Sequence, residues 1–245
     1  MKIQIFVQAR MGSTRLFGKV LMKLGGKSIL CLLLERLKRA RGIDKIVVLT
    51  TGSKKDDCIV REAKKCGVDY FRGSEMNVLD RYYQASQKFK PEAIIRVTAD
   101  CPLIDFNLIN RAVKIFNRGG YDVVSNNRVK TYPHGFNFEI FSASALAVAW
   151  KFHFAKFHQN KKEFDSADIN PTRYLLNSEK FKNKDIIYAR NLYHIRLTLD
   201  YQEDFVLIKK IYQKLYRENK SFGFKEIMGL LRKEPELLNI NKKYV

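Results

Sequence analysis

The sequence predicts an α/β fold: a mostly parallel sheet with helices on both faces. Apolar, β-branched runs recur at 3–7, 45–51 and 93–98, each of strand rather than helix length. Stretches of helical period separate them, and such alternation buries a parallel sheet between two helical layers. No segment rich in Gly, Pro or Ser divides the 245 residues, so a single domain, 1–245, is expected.

Taken in order, Ile3, Ile5 and Val7 alternate in the first strand, and a loop runs from Gln8 to Lys19. Gly25-Gly26 is a turn, and Ser28 caps a helix to about Arg41 with Ile29, Leu32, Leu33 and Leu37 as its apolar stripe. Lys45–Thr51 is a strand, Lys55–Cys66 a helix, Asp69–Phe71 a short strand and Glu75–Phe89 a helix. Ala93–Thr98 is a strand ending at Asp100-Cys101-Pro102, and Asp105 caps the helix that ends at Asn117. Strands at Tyr121–Ser125 and Phe136–Phe141 flank a polar, turn-rich segment, and Ser142 caps a helix to about Phe154. Residues 155–185 are basic and partly helical. Ile186–Ala189 and Ile195–Leu199 read as late strands, Tyr201–Glu218 and Phe224–Arg232 as helices, and Asn239–Val245 as a frayed tail.

Composition narrows the function classes. The hydrophobic share is 46% and the charged share 29%, as expected of a globular protein. No apolar run reaches the ~20 residues of a membrane span, and the chain enters a strand with no leader peptide, so the cytoplasm is expected. Cys31, Cys58, Cys66 and Cys101 form no C-x-x-C pair and read as reduced thiols rather than a disulfide frame or zinc site. The net charge of +21 favours anionic partners. Its lysines are spread over helix faces, with no RRM, KH or zinc-finger pattern, so no specific nucleic-acid partner is expected.

The first loop, Gln8-Ala9-Arg10-Met11-Gly12-Ser13-Thr14-Arg15-Leu16-Phe17-Gly18-Lys19, sets cations among glycines and hydroxyls. After a parallel strand, such a loop can aim N–H groups, hydroxyls and cations at one polyphosphate. Arginine can grip phosphate oxygens in a fork, and glycine lets the main chain approach. It is neither a Walker A loop nor a G-x-G-x-x-G turn. A solvated basic loop is the alternative use of the same residues. Asp100 follows the carboxyl end of a strand, where open α/β sheets bind ligands. Asp105 serves better as a cap, which leaves Asp100 without a structural task.

Ala9-Arg10-x-x-Ser13-x-Arg15-Leu16-x-x-Lys19 resembles the signature loop of the cytidylyltransferases that activate acidic sugars, most closely the branch of spore-coat polysaccharide biosynthesis protein F type. Phe17 replaces that branch's proline. The resemblance covers about residues 2–216 and is weakest over 155–190. It implies a GT-A-like (Rossmann-like) nucleotidyltransferase fold and transfer of CMP from CTP to a sugar hydroxyl with release of pyrophosphate. Ala9, Arg10, Gly12, Ser13, Arg15 and Lys19 would then bind the nucleotide, with Arg10, Lys19 and Asp100 catalytic.

Ala99-Asp100-Cys101-Pro102-Leu103 is similar to the family's Gly-Asp-x-Pro-Leu, whose aspartate holds the metal; Ala99 would be strained if the glycine's φ is positive. Leu199-Asp200-Tyr201-Gln202-Glu203-Asp204 resembles the turn that supplies a second carboxylate, so Asp100 and Asp200 are expected to hold Mg²⁺. Asp200 could instead be only a helix cap. Arg72-Gly73-Ser74-Glu75-x-Asn77 matches a stretch that reads the base, which assigns Arg72, Ser74 and Asn77 to the nucleotide. Tyr132-Pro133-His134-Gly135-Phe136-Asn137-Phe138-Glu139 resembles the sugar-facing segment, which assigns His134, Asn137 and Glu139 to the acceptor. His134 and Asn137 stand where the branch has aspartates, so the acceptor pocket is less acidic. Asp168-Ile169-Asn170-Pro171-Thr172 lacks the branch's histidine. The resemblance further implies a homodimer, with 126–190 as an acceptor-binding and dimerisation subregion. Two other readings are a GT-A-like glycosyltransferase, which would need Asp-x-Asp where Asp100-Cys101-Pro102 stands, and a non-catalytic nucleotide- or nucleic-acid-binding protein.

Overall fold

A computed structural model describes residues 1–159, 170–216 and 219–245. Asp168 and Ile169 lie outside the described residues. Nine strands and eight α-helices are described. They are β1 (Ile3–Gln8), β2 (Lys23–Leu24), β3 (Lys27–Ser28), α1 (Ile29–Leu37), β4 (Lys45–Thr51), α2 (Asp57–Lys65), β5 (Asp69–Gly73), α3 (Val78–Phe89), β6 (Ala93–Thr98) and α4 (Phe106–Asn117). Then come β7 (Val123–Ser125), β8 (Glu139–Ser142), α5 (Ala143–Gln159), α6 (Arg173–Asn177), β9 (Asn183–Asp185), α7 (Gln202–Leu215) and α8 (Phe224–Lys233).

Seven strands form one sheet in the order β5-β4-β1-β6-β8-β7-β9. All neighbours pair in parallel except β8, which is antiparallel to both β6 and β7. The period of two sorts the core. Ile3, Ile5, Val7, Val48, Ile95 and Val97 point to one side, against α1, α4 and α7. Phe6, Val47, Leu49, Ile94 and Phe141 point to the other, where Leu79, Tyr82, Leu146 and Ala149 of α3 and α5 cover them. Caps start the helices as the sequence indicates: the hydroxyl of Ser28 accepts from the Cys31 N–H, Asp105 from Asn107 and Ser142 from Ala145.

Chain order reverses at β1. β4 and β5 extend the sheet to one side, and β6 returns to pair on the other. This is a topological switch point, and the crevice beyond the carboxyl ends of β1 and β6 is where such a sheet takes a ligand.

Two late strands are not formed. Ile186–Ala189 is irregular, and the edge strand is Asn183–Asp185 instead. Ile195, Leu197 and Leu199 are buried as expected, but their backbone bonds go to loops: His134 N–H to Ile195 O (2.9 Å), Leu197 N–H to His134 O (2.6 Å) and Leu199 N–H to Asp100 O (2.8 Å). Alternating apolar residues report burial, and a loop partner satisfies the backbone as well as a ladder does. Residues 239–245 are also not frayed. Short 3₁₀ turns over Pro235–Ile240 and Lys242–Tyr244 dock there, and the Tyr244 ring stacks on Tyr201 at 3.7 Å. No helix among the described residues is long and apolar enough to cross a membrane.

Candidate active site

The loop after β1 curls over the switch point. The Ala9 N–H donates to Leu49 O, so this residue continues the sheet and has no N–H to offer a ligand. The Met11 N–H donates to Asp56 Oδ1 (2.8 Å), and Thr50, Thr51 and the Thr51 N–H secure the other oxygen of that carboxylate. Gly18 takes φ +67 to enter the 3₁₀ turn Lys19–Leu21, a conformation costly for any residue with a Cβ. Gly12 is in a different position: its φ is not positive, and a Cβ there would meet only Glu75 Oε1 at 3.7 Å. Gly18 therefore shapes the loop.

That turn drives Lys19 inward. Its Nζ, in a side chain only 9% exposed, lies 3.0 Å from Asp100 Oδ2 and 2.8 Å from Asp200 Oδ1. Burial draws the Lys19 pKa down, but Asp100 and Asp200 outweigh it and hold the ammonium above its ordinary value. Asp100 and Asp200, far apart in sequence, thus meet at one rim. Ala99 has no positive φ, is buried and donates its N–H to Gln8 O (2.9 Å), so the expected strain is absent.

Asp200 is not a helix cap. Arg15, Lys19 and Arg196 each donate to its carboxylate at 2.8 Å. Burial pushes its pKa up, and Lys19, Arg196 and Arg15 more than reverse this, holding it below the usual carboxylate range. The neighbouring cap role belongs to Asp204, fully buried, which accepts from the Asp200 and Tyr201 N–H groups. Arg196 forks onto Asp204 at 3.0 and 2.9 Å, and Asn241 reaches Asp204 at 2.8 Å. Sequence reasoning missed Arg196 and Asn241, and no local signal marks either.

The cleft of about 190 Å³ beside Lys19 is lined by Arg10, Ser13, Arg15, Thr98, Asp100 and Gln8. Among the described residues Arg10 makes no hydrogen bond and is exposed, so its guanidinium is open to an incoming anion. Ser13 Oγ accepts from Leu16 N–H at 3.3 Å. Gln8 was also missed: its Oε1 is buried without a hydrogen-bond partner. Its signal in the sequence is a polar residue that ends the strand directly after the apolar run Ile5–Val7. An orphan acceptor in a cleft wall fits a ligand N–H.

Other expected residues lie elsewhere or are engaged. Arg72 spends four of its five N–H donors on Thr51 O, Gly52 O, Ser53 O and Asp57, clamping the β4–α2 connection. Ser74 Oγ accepts from Asn77 N–H, and Asn77 caps α3 through the Asp80 N–H. All three side chains thus frame the local backbone. Gly73 is needed there, since a Cβ would fall 2.9 Å from the buried Arg81. Glu139, expected to face the sugar, has no exposed surface. It is paired with Arg96 (3.0 Å) and Asn127 (2.7 Å), and Asn127 in turn accepts from Asn137 (2.8 Å). Glu139 thus stands behind Asn137 rather than at the surface. Burial at the sheet start and an arginine on the paired strand explain this.

His134 does come to the rim. Gly135, at φ +114 and with no room for a Cβ against the Leu197 backbone (2.5 Å), lets the 132–138 loop press onto residues 196–198. Burial and the Arg196 charge lower the His134 pKa, against opposing pulls from Asp200 and Asp100. These surroundings disfavour the imidazolium.

The family described as Cytidylyltransferase matches the chain over residues 4–227. An uncharacterized protein of Methanocaldococcus jannaschii is 37% identical over 98% of this chain and 95% of its own length. The spore coat polysaccharide biosynthesis protein SpsF of Bacillus subtilis is 31% identical over 96% of this chain and 95% of its own. A solved structure of a cytidylyltransferase from Leptospira borgpetersenii superposes with a TM-score of 0.88 at 33% identity, covering 97% of each chain.

Proposed function

The chain belongs to the cytidylyltransferase family, and from that premise we propose that it transfers CMP from CTP to a hydroxyl of an acidic or modified sugar of surface polysaccharide synthesis, releasing pyrophosphate. The observation that carries this reading is the buried Lys19 ammonium bridging Asp100 and Asp200 beneath a loop that presents Arg10 and Arg15. The acceptor class rests on the likeness to the spore coat polysaccharide protein. The reaction uses CTP, so the cytoplasm is the compartment proposed for it.

Asp100 offers Mg²⁺ an open oxygen, and Asp200 would join it by exchanging a cation that it now holds. Asp100 Oδ1 has only the weak Cys101 thiol donor at 3.7 Å, and oxygen donors from one or two carboxylates with phosphates suit that ion. Asp100 and Asp200 would hold it, and when bound it supplies charge neutralisation on the phosphates. Arg10, Arg15 and Lys19 offset the charge that grows on the departing pyrophosphate. Asn137 and His134 face the acceptor, and neutral His134 accepts the proton of the attacking hydroxyl. Gln8 Oε1 accepts a hydrogen bond from the exocyclic amine of cytosine.

The deciding experiment is pyrophosphate release with Mg²⁺, each of the four NTPs and a panel of acidic and neutral sugars. Release confined to CTP with one sugar class supports the reading; release with another nucleotide, or binding of no nucleotide, overturns it. Gln8→Leu is expected to weaken CTP binding about tenfold, the worth of one buried hydrogen bond, as read by calorimetry; unchanged affinity removes Gln8 from the base site. Because His134 is held below the ordinary histidine pKa of ~6.5, activity falls only as pH drops below that value. The same sign makes protonation destabilise the fold there. His134→Gln removes that acid limb in a pH–rate profile, and an unshifted limb excludes the role.

We also propose a homodimer through α5, whose Val148 and Phe152, one turn apart on one face, are 46% and 45% exposed, an apolar face that interfaces cover. Val148→Lys with Phe152→Lys should yield monomers by light scattering; an unchanged mass excludes this face.

A further inference from the structure

Four cysteines without C-x-x-C spacing carry no metal signal in the sequence, but helix packing brings two of them together. Cys31 lies in the first turn of α1. Glu62 and Cys66 are four residues apart at the end of α2, hence on one face. The Sγ atoms of Cys31 and Cys66 and a carboxylate oxygen of Glu62 all lie within 4.8 Å of one another, the sole such group of three among the described residues. All three are half-buried. We propose that Cys31, Glu62 and Cys66 form a zinc site that staples α1 to α2.

The donor set selects the ion. Two thiolates and one carboxylate suit Zn²⁺, which is bound tetrahedrally by such ligands, whereas Mg²⁺ takes oxygen. Bond lengths of about 2.0–2.3 Å put tetrahedral donors roughly 3.3–3.8 Å apart. Closing the present triangle therefore needs a movement of at most about 1.5 Å, within reach of rotamer changes. The carboxylate is already oriented: Ser28 Oγ donates to Glu62 Oε1 at 2.5 Å while accepting from the Cys31 N–H at 3.0 Å. Such support of a ligating carboxylate strengthens a metal site. On binding, each thiol loses its proton to solvent and forms one S–Zn bond, so two protons leave per ion and affinity rises with pH. Three protein ligands leave the fourth position to water.

The place of this site gives it a consequence. α1 follows the β2–β3 hairpin that continues the Lys19–Leu21 turn, and Asp56, just before α2, accepts the Met11 N–H. The ion thus joins the helices that anchor the two ends of the phosphate-facing loop.

The test uses the full chain, reduced and freed of metal, titrated with Co²⁺ and Zn²⁺. One ion per chain is expected, with a thiolate-to-cobalt charge-transfer band. That band is lost in Cys31→Ser and Cys66→Ser and kept in Cys58→Ser, and Zn²⁺ affinity falls at least tenfold in Glu62→Gln. Should the serine variants fail to fold, wild-type protein decides: Zn²⁺ shields Cys31 and Cys66, but not Cys58, from iodoacetamide, as mapped by mass spectrometry. Absence of the band, a band indifferent to Cys31→Ser, equal alkylation with and without Zn²⁺, or a Cys31–Cys66 disulfide in place of metal uptake overturns the proposal.

Discussion

Lys19→Met is expected to lower turnover by about 100-fold or more while leaving the circular dichroism spectrum and urea midpoint close to wild type. Among the described residues Lys19 is the one group that touches both carboxylates of the rim, at 3.0 and 2.8 Å. Its loss removes a preorganised cation from a site that must carry a triphosphate, and such groups contribute about 3–4 kcal/mol to a transition state. The fold tolerates the change because Asp200 keeps Arg15 and Arg196, and Asp100 is part-exposed to solvent. Asp100→Asn is expected to show the same loss by a different route: the shape is kept and the charge that would hold the metal goes. Near-wild-type pyrophosphate release by either variant sinks the proposed role of the Lys19–Asp100–Asp200 cluster.

Arg196→Met is expected to act on stability first. Arg196 and Asp204 are both buried, and Arg196 also donates to Asp200. Removing the cation leaves Asp204 with backbone N–H groups and Asn241 only, and breaking a buried pair from one side costs about 3–5 kcal/mol. Urea denaturation reads the loss directly. A change under about 1 kcal/mol would show that the backbone donors alone carry Asp204. The variant is also more sensitive to acid. Asp200 is held below the ordinary carboxylate range, so its contribution is full above that range and is lost as pH falls through the lowered value. With one of its three cations gone, that loss begins at higher pH.

Much of this was legible locally. Alternation at Ile3–Val7 and β-branching at Lys45–Thr51 and Ala93–Thr98 mark central strands, because a strand buried on both faces has no other composition. Asp105 is visible as a cap and Asp100 as a residue without one. The late part of the chain was harder to read. Ile195, Leu197 and Leu199 alternate like a strand, yet hydrogen-bond to loops; periodicity reports which side chains are buried and is blind to what the backbone meets. Arg72 and Glu139 look like ligand groups by type and position, and both are held by their own framework.

Short segments mark the strands and helices up to α4, the basic loop after β1 and the two aspartates that could serve it, since propensity, capping and side-chain chemistry are local properties. Long-range packing is what sets Lys19 between Asp100 and Asp200, Arg196, Asp204 and Asn241 behind them, and Cys31 beside Cys66. Lys19 meets Asp100 and Asp200 across 81 and 181 positions and Asn241 meets Asp204 across 37, and only the packing of whole elements across the sheet fixes distances of that kind.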